Sequence, residues 1–179
     1  KSRFVEYWVE YFFSDPRYMV IDNKPVMSIF GADHLKNCFG GTEAGVKEAF
    51  DYLRSRVKEM GYDDIIIMAC DGSADKAHLQ SLANMGIDAV QAYNWGNAAY
   101  SAAWNQQKIS DQQKNGAGVM HNVPTVSTGF NRIGWGSPRT PQMTCEDMGE
   151  CLRWFKEDVL PTSEGEDWKK KLVMFSTWN

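Results

Sequence analysis

Several short apolar runs in this chain end in residues that can do chemistry. The first exit reads Gly31-Ala32-Asp33-His34, the second Asp71-Gly72-Ser73 and the third Tyr93-Asn94-Trp95. The fourth reads Gly129-Phe130-Asn131, with Trp135 and Arg139 further on, and the fifth is Trp178-Asn179. Amide, carboxylate, imidazole and guanidinium groups exchange hydrogen bonds with hydroxyls. Aromatic faces cover apolar C–H surface. Together these suit a hydroxyl-rich ligand such as a sugar, held in one pocket. The residues before the runs (Tyr62-Asp63-Asp64, Asp88 and Asn122) are plainer.

A structural reading stands beside each of these. Asp71 can cap the helix that follows it. Tyr93 and Trp95 can be packing. Asn131 and Arg139 lie on a long loop that either folds over a site or is pinned by them. His34 sits in a glycine-flanked loop. Arg17 and Arg132 read as surface or loop contacts, and His78 and His121 as structural or exposed. Met68 and Met174 read as core filler.

The spacing predicts the elements that carry these exits. Helical periodicity runs over 3–13 and, behind Thr42 as cap, over 43–60 with Val46, Ala49, Phe50, Leu53 and Val57 on one face. Asp15-Pro16 breaks the first helix, and Gly61 ends the second. Further helices are expected at about 75–85, stopped by Gly86, at 97–114, and at 144–159, ending before Pro161. Met19–Ile21, a turn at Asp22-Asn23-Lys24 and Pro25–Phe30 read as a hairpin. The other strands are 65–70, 87–93, 123–127 and 172–177. Ile65–Cys70 is continuously apolar, as a strand buried on both faces of a parallel sheet is.

Strands alternating with helices give an α/β class with parallel βαβ units. Two architectures remain: an open doubly wound sheet, or part of a closed (β/α)8 TIM-type barrel. Both place their site at the C-terminal strand ends. A full barrel takes about 250 residues, so 179 residues with about five core parallel strands make an incomplete one. No linker, repeat or low-complexity tract divides the chain, which reads as a single domain over 1–179. It opens inside a helix, as a piece of a longer protein would.

The net charge of −4 and the lack of a basic cluster argue against nucleic acid. No apolar run reaches the roughly 18 residues of a membrane span. Lys169-Lys170-Lys171 reads as a solvated helix end. Of the seven Trp and seven Tyr some must fill the core, while carbohydrate sites also use aromatic faces to cover the C–H faces of sugars. Cys38, Cys70, Cys145 and Cys151 form no C-x-x-C pair, and Cys145 and Cys151 fall on nearly opposite faces of one helix. All four read as free thiols. Dinucleotide, P-loop and nucleophile-elbow motifs are absent from the sequence, and the three His lack metal-ligand spacing. No cofactor or metal is expected.

Three segments carry a family resemblance: FSDPRYMVIDNKPVMSIF over 13–30, PTVSTGFNRIGWGSPR over 124–139, and FSTWN over 175–179. In order and spacing they resemble the "DPRY-x-x-x-D-G-K-P-V", "P-x-V-x-x-G-[FWY]-[DN]…R" and "WNE-x-x-EG" motifs of family 99-like glycoside hydrolases, the WbsX type. Asn23 stands for the usual turn Gly, a mild change because Asn tolerates φ > 0. Asn131 stands at a position commonly Asp, so a hydroxyl contact survives there and an acid role does not. Arg139 matches the following Arg, and Trp178 and Asn179 match the first two residues of the last motif.

The resemblance implies a (β/α)8 barrel acting on polysaccharide or glycan, in the best-known members as a retaining endo-acting α-mannosidase. Two carboxyl groups flank the bond in such chemistry. The resemblance places them just after Asn179, so this chain alone is expected to be inactive and to need the remainder of the barrel from the same or another chain. It also suggests a bacterial secreted or cell-surface enzyme. Three other readings stay open: a glycosyltransferase, which is the family's other label; a non-catalytic carbohydrate-binding barrel; and an unrelated open α/β domain.

Overall fold

The computed structural model describes residues 2–96, 101–129, 133–136 and 141–176. Helix α1 (Ser2–Trp8) continues as a wider π-helix over Val9–Phe13 and buries Val5 and Phe13. The hairpin follows, with β1 at Val20–Ile21 and β2 at Lys24–Phe30. Its two turn residues, Asp22 (φ 48°) and Asn23 (φ 54°), are both left-handed. A tight hairpin turn demands that of both positions, and Asp and Asn meet it at little cost. A 3-10 turn at Ala32–His34 and the short α2 (Leu35–Cys38) lead to α3 (Glu43–Glu59). The Thr42 hydroxyl accepts the Gly45 N–H at 3.0 Å, satisfying one of the helix's free donors.

The remaining elements are β3 (Ile66–Cys70), α4 (Lys76–Asn84), β4 (Ala89–Gln91), α5 (Ala102–Gly116), β5 (His121–Asn122) and β6 (Thr125–Ser127). They are followed by α6 (Cys145–Trp154), α7 (Leu160–Thr162) and β7 (Met174–Ser176). Asp75, Ser101 and Thr144 cap α4, α5 and α6 through their side-chain oxygens.

The strands pair in sequence order, β1-β2-β3-β4-β5, with β6 on β7. All pairings but the hairpin are parallel. β5 and β6 act as one strand interrupted at Val123-Pro124. Val123 N–H still bonds Val90 O at 2.8 Å toward β4, and Pro124 O accepts Met174 N–H at 2.9 Å from β7. Five parallel strands therefore lie side by side without reversal. A doubly wound sheet needs a reversal to open its crevice. The described strands have none, so the fold is an α/β one with a mostly parallel, singly wound sheet.

Alternation divides the sheet's two faces. Met27, Ile65, Ile67, Ala69 and Val90 point into the helix layer, against Val46, Leu53, Leu79 and Leu82 of α3 and α4. Val26, Ile66, Met68, Ala89 and Val123 point the other way and pack with Trp168 and Leu172. Each fully buried aliphatic side chain contributes roughly 1.5–3 kcal/mol.

At the entrance end, Arg54 reaches from α3 to Asp64 at 2.9 Å and Asp88 at 2.8 Å, and also bonds Ile65 O and Gly86 O. The Asp88 carboxylate in turn accepts Ile67 N–H at 2.8 Å.

Three expectations shift. The strands are shorter than the apolar runs. The fourth helix starts behind Ser101, with 97–100 outside the described residues. The helix after Thr144 does not stop before Pro161. It widens into a π-helix at Phe155–Val159 and takes one more turn. Pro161 stands in the first turn of that last piece, and the Thr162 hydroxyl bonds Asp158 O and Val159 O, both at 2.9 Å. The four cysteines are unpaired, Cys145 exposed and Cys151 buried on α6.

Candidate functional site

The face away from the helices changes character toward the strand exits. Its lower rows are apolar. Above them come Ser28 and Phe30 on β2, Cys70 on β3, Gln91 on β4, Tyr93 just beyond it, and Ser176 on β7. Phe30 is 78% and Tyr93 50% exposed, and their rings meet edge to face with centroids 5.9 Å apart. The Ser176 hydroxyl donates to Tyr93 O.

Gln91 Nε2 bonds Ser28 Oγ at 3.3 Å, across the intervening strand. Second-neighbour strands in a flat sheet stand roughly 9.6 Å apart. A single carboxamide spans that gap because both side chains lean into a concave surface. Burial holds the pKa of the Cys70 thiol above the usual thiol value, and the neighbouring Gln91 amide opposes that shift.

The expected site residues part company here. Tyr93 lies on the concave face. Asp71 is on the neighbouring strand's exit, its N–H bonding Gln91 O at 2.7 Å, but its side chain follows Ile67 and Ala69 into the helix layer. Its Oδ1 accepts Ser73 N–H at 2.7 Å, and its Oδ2 lies 2.7 Å from His78 Nε2. His78 Nδ1 faces Asp33 at 3.9 Å. Asp71 therefore pins the start of α4, and His78 is its structural partner.

Trp95 is core, not rim: it is 5% exposed, and its indole N–H donates to Thr125 O at 2.8 Å. Two residues on from Tyr93 the chain has left the strand, so alternation no longer holds it at the surface. Asn94 is half-buried, and its Oδ1 accepts Gly96 N–H at 2.9 Å. His34 is exposed at the end of the 3-10 turn. Asn131, Arg139, Trp178 and Asn179 lie outside the described residues.

Asp33, Asp71 and His78 offer one ligand atom each within 4.8 Å of one another, from three successive segments of the rim. They are the described residues that could approach a cation together. As they stand, the contacts are those of a hydrogen-bonded loop lock. Two clefts lie elsewhere. One, of about 550 Å³, is apolar and opens beside β2 under α1, between Phe4, Trp8, Met27 and Phe50. The other, of about 770 Å³, is at the strand-entrance end beside His121, Glu164 and Lys169.

Ser28, Phe30, Gln91 and Ser176 escaped sequence reading. Their signal was the two-residue period within each strand, which puts positions 28, 30, 91 and 93 on one face. Reading only the residue after each strand missed it.

The fold and this rim define an α/β domain that gathers polar and aromatic groups at the exits of parallel strands. A family model described as "Glycosyltransferase WbsX" matches residues 1–143, and the chain belongs to that family. No curated protein matches it. Among solved structures it is similar to the GH99 endo-alpha-mannosidase from Bacteroides thetaiotaomicron, with 14% identity and a TM-score of 0.57. The likeness covers 98% of this chain and 47% of that one, so the chain spans about half the length of the structure it matches.

Proposed function

We propose that this chain is a consecutive arc of a (β/α)8 barrel that processes glycans, as a glycoside hydrolase of the retaining, endo-acting α-mannosidase type. The observation that carries the reading is the concave exit face. Exposed rings at Phe30 and Tyr93 stand there beside amide, thiol and hydroxyl groups on parallel strands laid in sequence order. That order is also what a barrel requires of adjacent strands. In this reading Tyr93 contacts the sugar, with Asn131, Arg139, Trp178 and Asn179 completing the rim. The two reactive carboxyl groups belong to the motif that Trp178-Asn179 begin, so the 179 residues alone turn over nothing. Bacterial secretion or surface display goes with the same proposal.

The test is to incubate the full-length protein with an α-mannan oligosaccharide and follow the first-formed anomer by NMR. Release of the α-anomer supports the proposal. Transfer from a sugar nucleotide to an acceptor, without hydrolysis, would replace it with the glycosyltransferase reading. Saturable binding with neither reaction would leave a carbohydrate-binding barrel.

A further inference from the structure

The apolar cleft beside β2 has the position and walls of a strand's seat. Met27, Ser28, Ile29 and Phe30, consecutive in β2, all line it. Met27 packs into the helix layer, while Ser28 and Phe30 stand on the opposite face. A cavity that touches side chains from both faces of a strand runs along that strand's edge. Among the described residues, no strand pairs with this edge at its exit half. β1 meets it lower down, at Lys24 and Pro25. Val26 N–H then bonds outward to Met19 O at 3.0 Å. The N–H groups of Ser28 and Phe30, two and four residues on, face the same way.

Helix α1 indicates what fits the seat. Phe4, Val5 and Trp8 form the cleft's opposite wall, with Phe12 from the π-helical continuation. Phe4 is 71% and Phe12 45% exposed, so an apolar stripe faces the cleft without cover. The other helices show how such a stripe is covered in this fold. α3 links β2 to β3, α4 links β3 to β4, and each packs on the parallel strands it joins. A helix that feeds a parallel strand crosses back from a neighbouring strand of the same sheet. α1 feeds β2 through the hairpin, and Val5 and Phe13 pack with Phe50 and Leu53 of α3. It holds the place of a crossover helix for one more strand outside β2. That strand would stand roughly 4.8 Å from β2, inside the cleft and beneath α1.

We infer that the cleft seats one parallel β-strand of the same polypeptide, upstream of α1, which pairs with Ser28 and Phe30 and is apolar on the side that meets α1. The paired stretch is short, because the hairpin occupies the entrance half of the edge. Its other side chains join the concave face, and its exit sets one more side chain beside the Phe30 ring. The inference adds a neighbour to the proposed glycan site. It stands on the cleft and the crossover, so loss of the glycan reading would leave it intact.

The experiment uses the full-length protein, with its mass followed by light scattering and its backbone amides by NMR. In the monomer, the Ser28 and Phe30 amides are expected to exchange with deuterium as slowly as those of Met68 and Ala69 in β3. They should also show NOEs to a segment upstream of residue 1 that runs parallel to β2. Phe4→Asp should lower the melting temperature by several degrees, and Phe4→Leu should leave it nearly unchanged. Four outcomes overturn the inference. Fast exchange at Ser28 and Phe30 in a folded monomer shows a bare edge. Slow exchange that appears only in a dimer gives the seat to a second copy. NOEs to an antiparallel segment, or to one downstream of residue 179, break the crossover argument. An unchanged melting temperature for Phe4→Asp shows that nothing covers α1. None of these measurements involves a sugar, so failure here and failure of the glycan reading are separate results.

Discussion

His78 Nε2 stands 2.7 Å from Asp71 Oδ2, joining the exit of β3 to the first turn of α4. The carboxylate that follows β3 is therefore engaged in holding its own loop. Gln112 reinforces that loop from α5, donating Nε2 to Asp71 O at 2.9 Å and Ser73 O at 2.8 Å. Asp71→Ala and His78→Ala are expected to loosen the same segment. Urea unfolding of the single and double variants should give a coupling energy of about 1 kcal/mol. Strict additivity would show that the pair does not act as a unit.

Arg54 is expected to be the most sensitive surface-facing residue for stability. Its guanidinium ties α3 to the entrances of β3 and β4 through two carboxylates and two carbonyls. Burial pushes the Asp88 pKa up, and the Arg54 charge opposes that shift. Removing Arg54 would strand a largely buried carboxylate. Arg54→Met should cost on the order of 3–5 kcal/mol in denaturant unfolding. Arg54→Lys should recover little, because an ammonium cannot serve four acceptors spread over two strands.

Acid should destabilise the protein through His121. Burial, with Lys169 nearby, lowers its pKa from 6.5 to about 4. Its Nε2 has no hydrogen-bond partner, and the ring packs edge-on to Trp168 at 5.4 Å. The folded state thus resists a proton that the unfolded chain accepts. The stability associated with this group is complete above about pH 6.5 and is lost as pH falls toward 4. The loss is roughly 3 kcal/mol. His121→Phe keeps the ring and removes the titration. Melting temperatures measured from pH 7 to pH 4 should fall less steeply for that variant, and parallel curves would rule His121 out as the source.

Both flanks of the strand arc are exposed to partners. β2 pairs with β1 through Val20↔Pro25 and Ile21↔Lys24, and Val26 N–H bonds Met19 O at 3.0 Å. Beside it, Phe4 is 71% and Phe30 78% exposed, and Phe175 on β7 is 44% exposed. Unladdered strand edges with apolar neighbours invite pairing with other chains. The isolated 179 residues should therefore self-associate, with light scattering behind size exclusion reporting a mass above the monomer's 20.3 kDa. A monodisperse monomer that melts cooperatively would count against the arc as part of a larger barrel.

Much of the scaffold was legible because local chemistry and global fold agree. Thr42, Gly61 and Gly86 mark helix ends by rules that need no tertiary partner, and the continuous apolar run Ile65–Cys70 suits a strand covered on both faces. The site was less legible. A strand exit has no fixed side: Asp71 and Tyr93 end adjacent strands, yet one side chain enters the helix layer and the other the concave face. Choosing between them takes the register of the pairing, which follows from where each strand is cut. Gln91 looked unremarkable inside an apolar run, since its bond to Ser28 forms only once β2 and β4 flank β3. Pro161 marks the opposite limit. Its local rule looked for a helix end, and the chain instead widens into a π-helix at Phe155–Val159 and carries on through Thr162.

The hairpin tip and the stretch before β7 meet at the entrance end. Asp22 pairs with Lys171 and Lys24 with Glu166, over a layer in which Ile21 and Trp168 pack with Val26, Ile66 and Val123. Side chains therefore cover this end of the sheet's face away from the helices. On the glycan reading proposed above, a polymer lies across the strand exits rather than against this end.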